Sequence, residues 1–545
     1  MMVHAKQIEE IVRRFNKVKS DRVTWDSHFE DVLKYCLPRK KGVLSSITPG
    51  DKRMREVYDG TAIWSLDILA AGLNTFLTSS VNKWFELRTE DTELMDYDEV
   101  KTWLQDVEKS MYNMFNGSNF STAIHETYLD DGSIGTSVLY VEEDEQDVCR
   151  FMPRHISEVY ILENNKGRID SVYRCWDWTI RQAYQEWGEN IGENLMKKYK
   201  DKPDDKAEFI HVVRPRDERN PYSHTKDNLP FESLWVYPKE KHLIEEGGYH
   251  EMPFMCARWL KGPQEVYGRS PGMNALSDVK MLNEMEKTLL KAAQKMVDPP
   301  MLMPDDGVVG TVRIVPGGIN YIKKEYWTGG RLPTQMDFKG NIPLGLELND
   351  QKRSQIKQFF FVDLFLLLHE NPKMTATEVL ERVEEKMTIL GPVLGRMLSE
   401  KLDPLIDRCF GIMYRGGLFP REPDILRNQK IIVEYVSPLA RVQKLYEAKA
   451  VRKTFADIGP YIEIFPELAD NVDPDGLWEI VSDSHGFPQR ATRTKITRSE
   501  VRKARQEAAR REFEAEEAVQ VVDSLATAKK AGLLGDDKEQ ALPIQ

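Results

Sequence analysis

The stretch GRSPGMNALSDVKMLNEMEKTLLKAAQKMVDPP, residues 268–300, decides the fold class. Its first five residues fit G-x-S-x-G, the nucleophile elbow of serine hydrolases. That elbow takes an oxyanion-hole N–H from the residue after the serine, and here that residue is Pro271, which has none. The same residues suit a helix start, with Ser270 as N-cap and Pro271 as the first helical residue. The helix predicted from there runs to about residue 297. Leu276, Val279, Leu282, Met285, Leu289, Ala292 and Met296 recur at spacings of three and four before Asp298-Pro299-Pro300 stops it. At about 1.5 Å per residue it is roughly 40 Å long. Its opposite face carries Lys280, Glu284, Lys287, Lys291 and Lys295, so one stripe packs and the other stays wet.

Residues 298–346 hold six Pro and eight Gly, which predicts turns and short strands such as VRIVP and NYIKKEYW rather than helix. Tyr321, Tyr326 and Trp327 argue that this insertion packs. A second long helix is predicted from about 347 to 369, ending in the apolar run FFFVDLFLLL, residues 359–368. It breaks at HENPKM, and Thr375 with Glu378 restarts a helix as a capping box. Gly391-Pro392 and Pro404 are expected to bend that third helix, which reaches Tyr414. KIIVEYV, 430–436, reads as a strand, and Ser437-Pro438 repeats the Ser-Pro helix start.

Upstream, Ile8, Ile11, Val12, Phe15 and Val18 define a first helical face, and Trp25, Phe29, Val32 and Leu33 a second, closed by Pro38. Residues 59–80 form an apolar helix with a small-residue patch at Ala70-Ala71-Gly72, followed by helices near 97–115 and 121–130. From Ser133 to about 260 the period shortens to that of strands: IGTSVLYVEE, then two strands around the Asn164–Gly167 turn, then WVYPKE and PFMCARWL around Gly247-Gly248. A helix near 179–199 interrupts them. The fold class is therefore α+β and predominantly α-helical.

At 545 residues several sub-structures are expected, and a net charge of -12 argues against a generic polyanion binder. The five cysteines show no C-x-x-C or Cys/His metal spacing and read as reduced fillers. The charged N-terminus is no secretory signal, and the run at 359–368 is too short for a membrane span and contains Asp363. There is no P-loop, H-E-x-x-H or EF-hand; DPDG at 473–476 reads as a bare turn, and His369-Glu370 as a helix end. No enzyme, cofactor or metal site is expected. The tail from 486 carries Arg490, Arg493, Lys495, Arg498, Arg502, Lys503, Arg505, Arg510 and Arg511, then Glu512, Glu514, Glu516 and Glu517. Such a run reads first as a solvated helix face; the alternative is a DNA-binding structural protein using this basic segment.

Four segments together resemble the portal proteins, or head-to-tail connectors, of short-tailed (podovirus, T7-like) bacteriophages. They are VYGRSPGMNALSDVKMLNEMEKTLLKAAQKMVDPPML (266–302), MTATEVLERVEEKMTILGPVLGRMLSEKLDPLIDRCFGIMYRGGLFP (374–420), VYDGTAIWSLDILAAGLNTFLTSSVNKWFEL (57–87) and SPLARVQK (437–444). The likeness spans about residues 10–480 and leaves out the tail after 486. It implies a ring-forming portal fold: wing 1–269, first stem helix 270–297, clip 298–346, second stem helix 347–368, tunnel loop 369–374, kinked wing helix and return 375–485, and crown 486–545, its end disordered.

The resemblance further implies a homo-oligomeric ring of twelve at one capsid vertex of the virion, assembled in the host cytoplasm. Double-stranded DNA would pass through its channel during packaging and ejection. Its partners would be the terminase large subunit, a tail adaptor protein, and the major capsid and scaffolding proteins, with no membrane. The tunnel loop would be His369, Glu370, Asn371, Pro372, Lys373 and Met374; channel lining could include Lys280, Glu284, Lys287, Lys291 and Lys295; clip contacts would be Tyr321, Tyr326, Trp327 and Arg331. A mostly acidic ring would let phosphates slide rather than stick.

Overall fold

The computed structural model describes residues 2–297 (apart from 45–47, 49, 92–93, 96 and 221–224), short strands between 301 and 335, 342–370, 390–435 (apart from 428), 450–485 (apart from 462–464, 466 and 468–471), 493 and 495–530. The chain packs into two units. The first is Met1–Phe85, Ser110–Leu418 and Tyr435–Gln443; the second is Glu86–Lys109, Phe419–Glu434 and Lys444–Gln545.

The first unit opens with helices α1 (Met2–Asp21) and α2 (Val23–Cys36). The α1 stripe of Ile11, Phe15 and Val18 buries against Tyr160, Tyr173, Ile210, Val212 and Leu234. Those residues line one face of a five-stranded antiparallel sheet of order β4-β5-β6-β7-β8: β4 Val159–Glu163, β5 Ile169–Thr179, β6 Lys206–Pro215, β7 Phe231–Tyr237 and β8 His242–Tyr249. The other face carries Trp176, Trp187, Phe209 and Tyr237. Because both faces are covered, β6 is apolar on both sides, with no clean alternation to mark it; it and the strand Val148–Arg154 were not among the sequence expectations. The helix predicted near 179–199 is two, α6 (Ile180–Trp187) and α7 (Glu193–Asp201), parted between Gly188 and Gly192, which both take positive φ.

A second sheet has the order β3-β2-β9, from β2 (Thr136–Asp144), β3 (Val148–Arg154) and β9 (Phe254–Arg258). An open edge invites pairing with other chains. On β3 the Asn119 side chain takes the neighbour's place, donating to the Phe151 carbonyl at 2.7 Å and accepting the Phe151 N–H at 3.0 Å.

The helices α3 (Thr61–Leu77), α5 (Phe120–Ile134) and α8 (Pro271–Val297) complete this unit with the helices Ile342–Phe359 and Val362–Glu370. The small-residue patch on α3 has a steric cause: a Cβ on Gly72 would lie 2.3 Å from the Phe365 ring. The second long helix, predicted as continuous from 347, starts at Ile342 and breaks at Phe360-Phe361, with φ of Phe361 at +56°. Phe360, Val362 and Leu364 are all buried. An unbroken helix would keep Phe360 and Leu364 on one face and aim Val362 to the opposite side, so the turn re-aims them.

The kink expected at Pro404 is a π turn, Leu398–Leu402, followed by the helix Asp403–Arg415. Pro404 cannot donate to the Glu400 carbonyl, and the Asp403 N–H reaches five residues back to Leu398. The turn places two adjacent charges on separate partners, one half-buried and one fully buried. Arg258, wholly buried, donates to Glu400 from Nε (3.0 Å) and Nη2 (2.6 Å), and its Nη1 pairs with Glu163. Lys401 pairs with Asp131 and donates to Thr127 Oγ1 at 3.0 Å; both charged residues are fully buried. Burial pushes the Asp131 carboxyl up and the Lys401 ammonium down, each opposed by the other's charge.

In the second unit, β1 (Phe85–Thr89) pairs with Ile431–Tyr435, Trp103 Nε1 donates to the Pro420 carbonyl at 2.9 Å, and buried Glu108 accepts the Leu87 N–H at 2.9 Å. DPDG is a helix start rather than a bare turn: the Asp473 carboxylate accepts the Asp475 N–H at 3.0 Å at the head of Pro474–His485. The tail forms the helix Lys495–Lys530. Ser437-Pro438 and the residues after Gly532 lie outside the described residues.

Lys401→Met strands a buried carboxylate and should lower the unfolding free energy by roughly 3–5 kcal/mol. Adding Asp131→Val should recover most of that loss in equilibrium urea unfolding, since both charges are then gone.

Candidate assembly and channel site on the long helix pair

The pair comprises α8 and the helix Ile342–Phe359, which pack side by side. Helix α8 begins where the sequence places it. The Ser270 hydroxyl accepts the Met273 N–H at 2.9 Å and donates to the Ser133 carbonyl, fully buried. Both functions of the hydroxyl are occupied, so no nucleophile is presented. The glycine before it answers to close packing: a Cβ on Gly268 would sit 2.0 Å from the carbonyl oxygen of Gly135, itself at φ +73°. The Gly268 N–H donates to Thr136 Oγ1 at 2.9 Å.

A polar clasp holds the two helices in register. Arg353 donates to Asp59 (3.0 Å) and Asp350 (2.8 Å) and pairs with Glu286; Lys352 reaches Asp278 at 2.9 Å, and Asn349 Nδ2 donates to Glu286 at 2.9 Å. Buried Asn283 accepts the Tyr58 N–H at 2.7 Å and donates to the Glu56 carbonyl at 2.9 Å.

Along α8 the burial changes. Met273, Ala275, Leu276, Val279 and Leu282 are buried, while Met285, Leu289 and Ala292 are only partly covered. Met281, Leu290 and Met296 are about half exposed and Val297 is 88% exposed. Leu344, Leu346 and Leu348, at the start of the partner helix, are exposed as well. The far end of the pair thus displays apolar side chains that are only about half covered among the described residues.

The lysine stripe divides too. Lys280 pairs with Asp31 at 2.9 Å and lies 5.9 Å from the Tyr35 ring; Lys287 pairs with Glu284 at 3.0 Å, and that hydrogen bond raises its pKa. Lys291 and Lys295 are exposed. Of the tunnel-loop expectation, His369 and Glu370 have helical backbone at the end of Val362–Glu370, and Asn371, Pro372, Lys373 and Met374 lie outside the described residues. Of the clip expectation, Tyr321 lies in the two-residue strand Tyr321–Ile322, opposite Val309; Tyr326, Trp327 and Arg331 lie outside the described residues.

The polar clasp was not read from the sequence. Asp59, Glu286 and Arg353 are each ordinary surface residues in sequence, and only the register of the two helices joins them. Among the described residues no group of His, Cys, Asp and Glu is arranged to hold a metal ion, and no helix is long and apolar enough to cross a membrane.

The model of the family "Bacteriophage head to tail connecting protein" matches residues 8–492. The chain belongs to that family. The connector is 31% identical over 486 residues to the "Portal protein" of Salmonella phage epsilon15, covering 88% of this chain and 87% of the relative. It is 31% identical over 541 residues to the "Probable portal protein" of Bordetella phage BPP-1, covering 98% and 96%. A chain of the "Virion of native gene transfer agent (GTA) particle" aligns over 78% of the connector and 94% of its own length at 11% identity and TM-score 0.35, too remote to argue from. The family is one of head to tail connecting proteins, and both relatives are named as portal proteins. The connector is accordingly a component of a phage virion.

Replacing Ser270 with Ala should cost about 1–2 kcal/mol through the lost cap. Gly268→Ala should cost more, because its Cβ meets backbone rather than a movable side chain. Urea unfolding of the two variants checks the order.

Proposed function

We propose that the connector assembles into a ring of twelve at one capsid vertex, forming the channel through which double-stranded DNA is packaged and later ejected. The observation that carries this reading is the half-covered apolar end of the long helix pair. Exposed apolar surface on several neighbouring positions marks an interaction site, and a ring supplies the covering surface from identical neighbours. In this reading α8 and residues 347–368 are the stem, 298–346 the clip that meets the tail adaptor and, during packaging, the terminase large subunit, and 369–374 the tunnel loop. The remaining parts form wing and crown, which contact the major capsid and scaffolding proteins, and assembly takes place in the host cytoplasm.

The lysines sort accordingly. Lys280 pairs with Asp31 and Lys287 with Glu284 within the protomer, while Lys291 is an exposed cation of the stripe. Few free cations in an acidic ring suit transit, since each phosphate neutralised by a cation adds affinity and drag. The competing reading, DNA capture by the basic tail, is weakened by Asp475, which pairs with Arg498 at 2.9 Å and Arg502 at 2.7 Å, and by Glu514, which pairs with Arg510 at 3.0 Å.

Negative-stain imaging of purified protein should show end-on rings. Leu290→Glu combined with Met296→Lys should abolish them while leaving the melting temperature of the protomer within a few degrees, because neither side chain is buried in it. Rings that persist in the double variant, or wild-type protein that stays monomeric at all concentrations, would sink the assignment of this face.

A further inference from the structure

The long helix pair carries two exposed charges of opposite sign that meet no counter-charge among the described residues, Lys291 on α8 and Glu347 on the helix Ile342–Phe359. Lys287 and Lys295 stand four residues to either side of Lys291, so its own helix offers it repulsion. Asp350, three residues beyond Glu347, is already paired with Arg353 at 2.8 Å.

The two charges stand on opposite flanks of the pair. Asn349 Nδ2 donates to Glu286 at 2.9 Å, and a Cβ on Gly345 would lie 3.2 Å from Leu289, so these residues mark where the antiparallel helices face each other. At about 100° per residue, Lys291 lies about 140° around α8 from Glu286, and Glu347 about 160° around its own helix from Asn349. Each therefore points away from the other helix. The same contacts set Glu347 roughly level with Thr288, about one turn from Lys291. Leu344 shares the flank of Glu347 and is 52% exposed; exposed Gln351, Ser354 and Gln358 continue that flank without charge.

Rotation about an axis keeps every residue at its own height, so in a ring whose axis runs along the helix pair only residues of matching level meet. A helix tilt of about 20° across a spacing of about 10 Å shifts the match by about 4 Å, less than one turn. The geometry points to an ion pair between copies of this chain: Lys291 of one protomer on Glu347 of the next, repeated at every joint of the ring. The lysine stem lies along the neighbour's Leu344, and the ammonium reaches the carboxylate one turn away. This rests on the ring reading above, and it assigns Lys291 to the joint between subunits rather than to the channel wall.

The test exchanges the charges in the full chain and follows assembly by sedimentation velocity and negative-stain imaging at low ionic strength. Lys291→Glu and Glu347→Lys should each raise the protein concentration needed for half assembly by about tenfold, since each sets like charges against each other at every joint. Both positions are exposed, so the melting temperature of the protomer should stay within a few degrees. An equimolar mixture of the two variants should form rings again, because copies alternating around an even-numbered ring satisfy every joint; only a contact between subunits is rescued by mixing. The chain carrying both exchanges should assemble like the unaltered one. Single variants that assemble as readily as the unaltered chain, or a loss of rings that neither mixing nor the double exchange restores, overturn the ion pair and leave the ring reading standing. An unaltered chain that never forms rings overturns both.

Discussion

The structure turns on a backbone approach too close for side chains. At the junction of α5 and β2, the Gly135 carbonyl accepts the Trp259 N–H at 2.9 Å while Gly268 lies against it with no room for a Cβ, and two residues later the Ser270 hydroxyl donates to Ser133. Sheet and long helix are thereby joined through main-chain atoms, which do not change rotamer. The direction of α8 follows from this junction, and so does the position of every residue along its length.

The π turn at Leu398–Leu402 does comparable work at a second junction. An α-helical path into Pro404 would leave Glu400 and Lys401 a regular 100° apart. The wider turn seats one on wholly buried Arg258 and the other on wholly buried Asp131. Such pairs add little net stability against an apolar replacement, yet they penalise any arrangement that separates them. They select one seating of the helix on β9 and α5, and the helix Asp403–Arg415 continues from that seating.

These two anchors explain why one helix can be part core and part display. The first turns of α8 are held by main-chain contacts and by the clasp of Asp59, Glu286 and Arg353; its last turns present Leu290, Met296 and Val297 outward. A virion component benefits from that division. Its rigid base sets the position of the display end, and the display end gains its remaining burial from whatever lies beside it.

Much of this was legible in the residues. The apolar spacing of Ile11, Phe15 and Val18, the Ser270-Pro271 start and the Asp298-Pro299-Pro300 stop are local signals, and helix bounds follow from local signals because hydrogen bonds and caps span only a few residues. The resemblance in four segments pointed to the connector family before any fold was known. What the residues could not reveal were relations between distant parts: that Lys280 is spent on Asp31, that Lys401 meets Asp131, and that the apolar run at 359–368 must break at Phe361 to bury Phe360 and Val362 together. The sequence alone determined the helices α1, α2, α3 and α8 and where α8 begins, because propensity, capping and periodicity act within a turn or two. Only the tertiary structure decided which charges are neutralised and which apolar faces stay open, because partner choice depends on register between elements hundreds of residues apart.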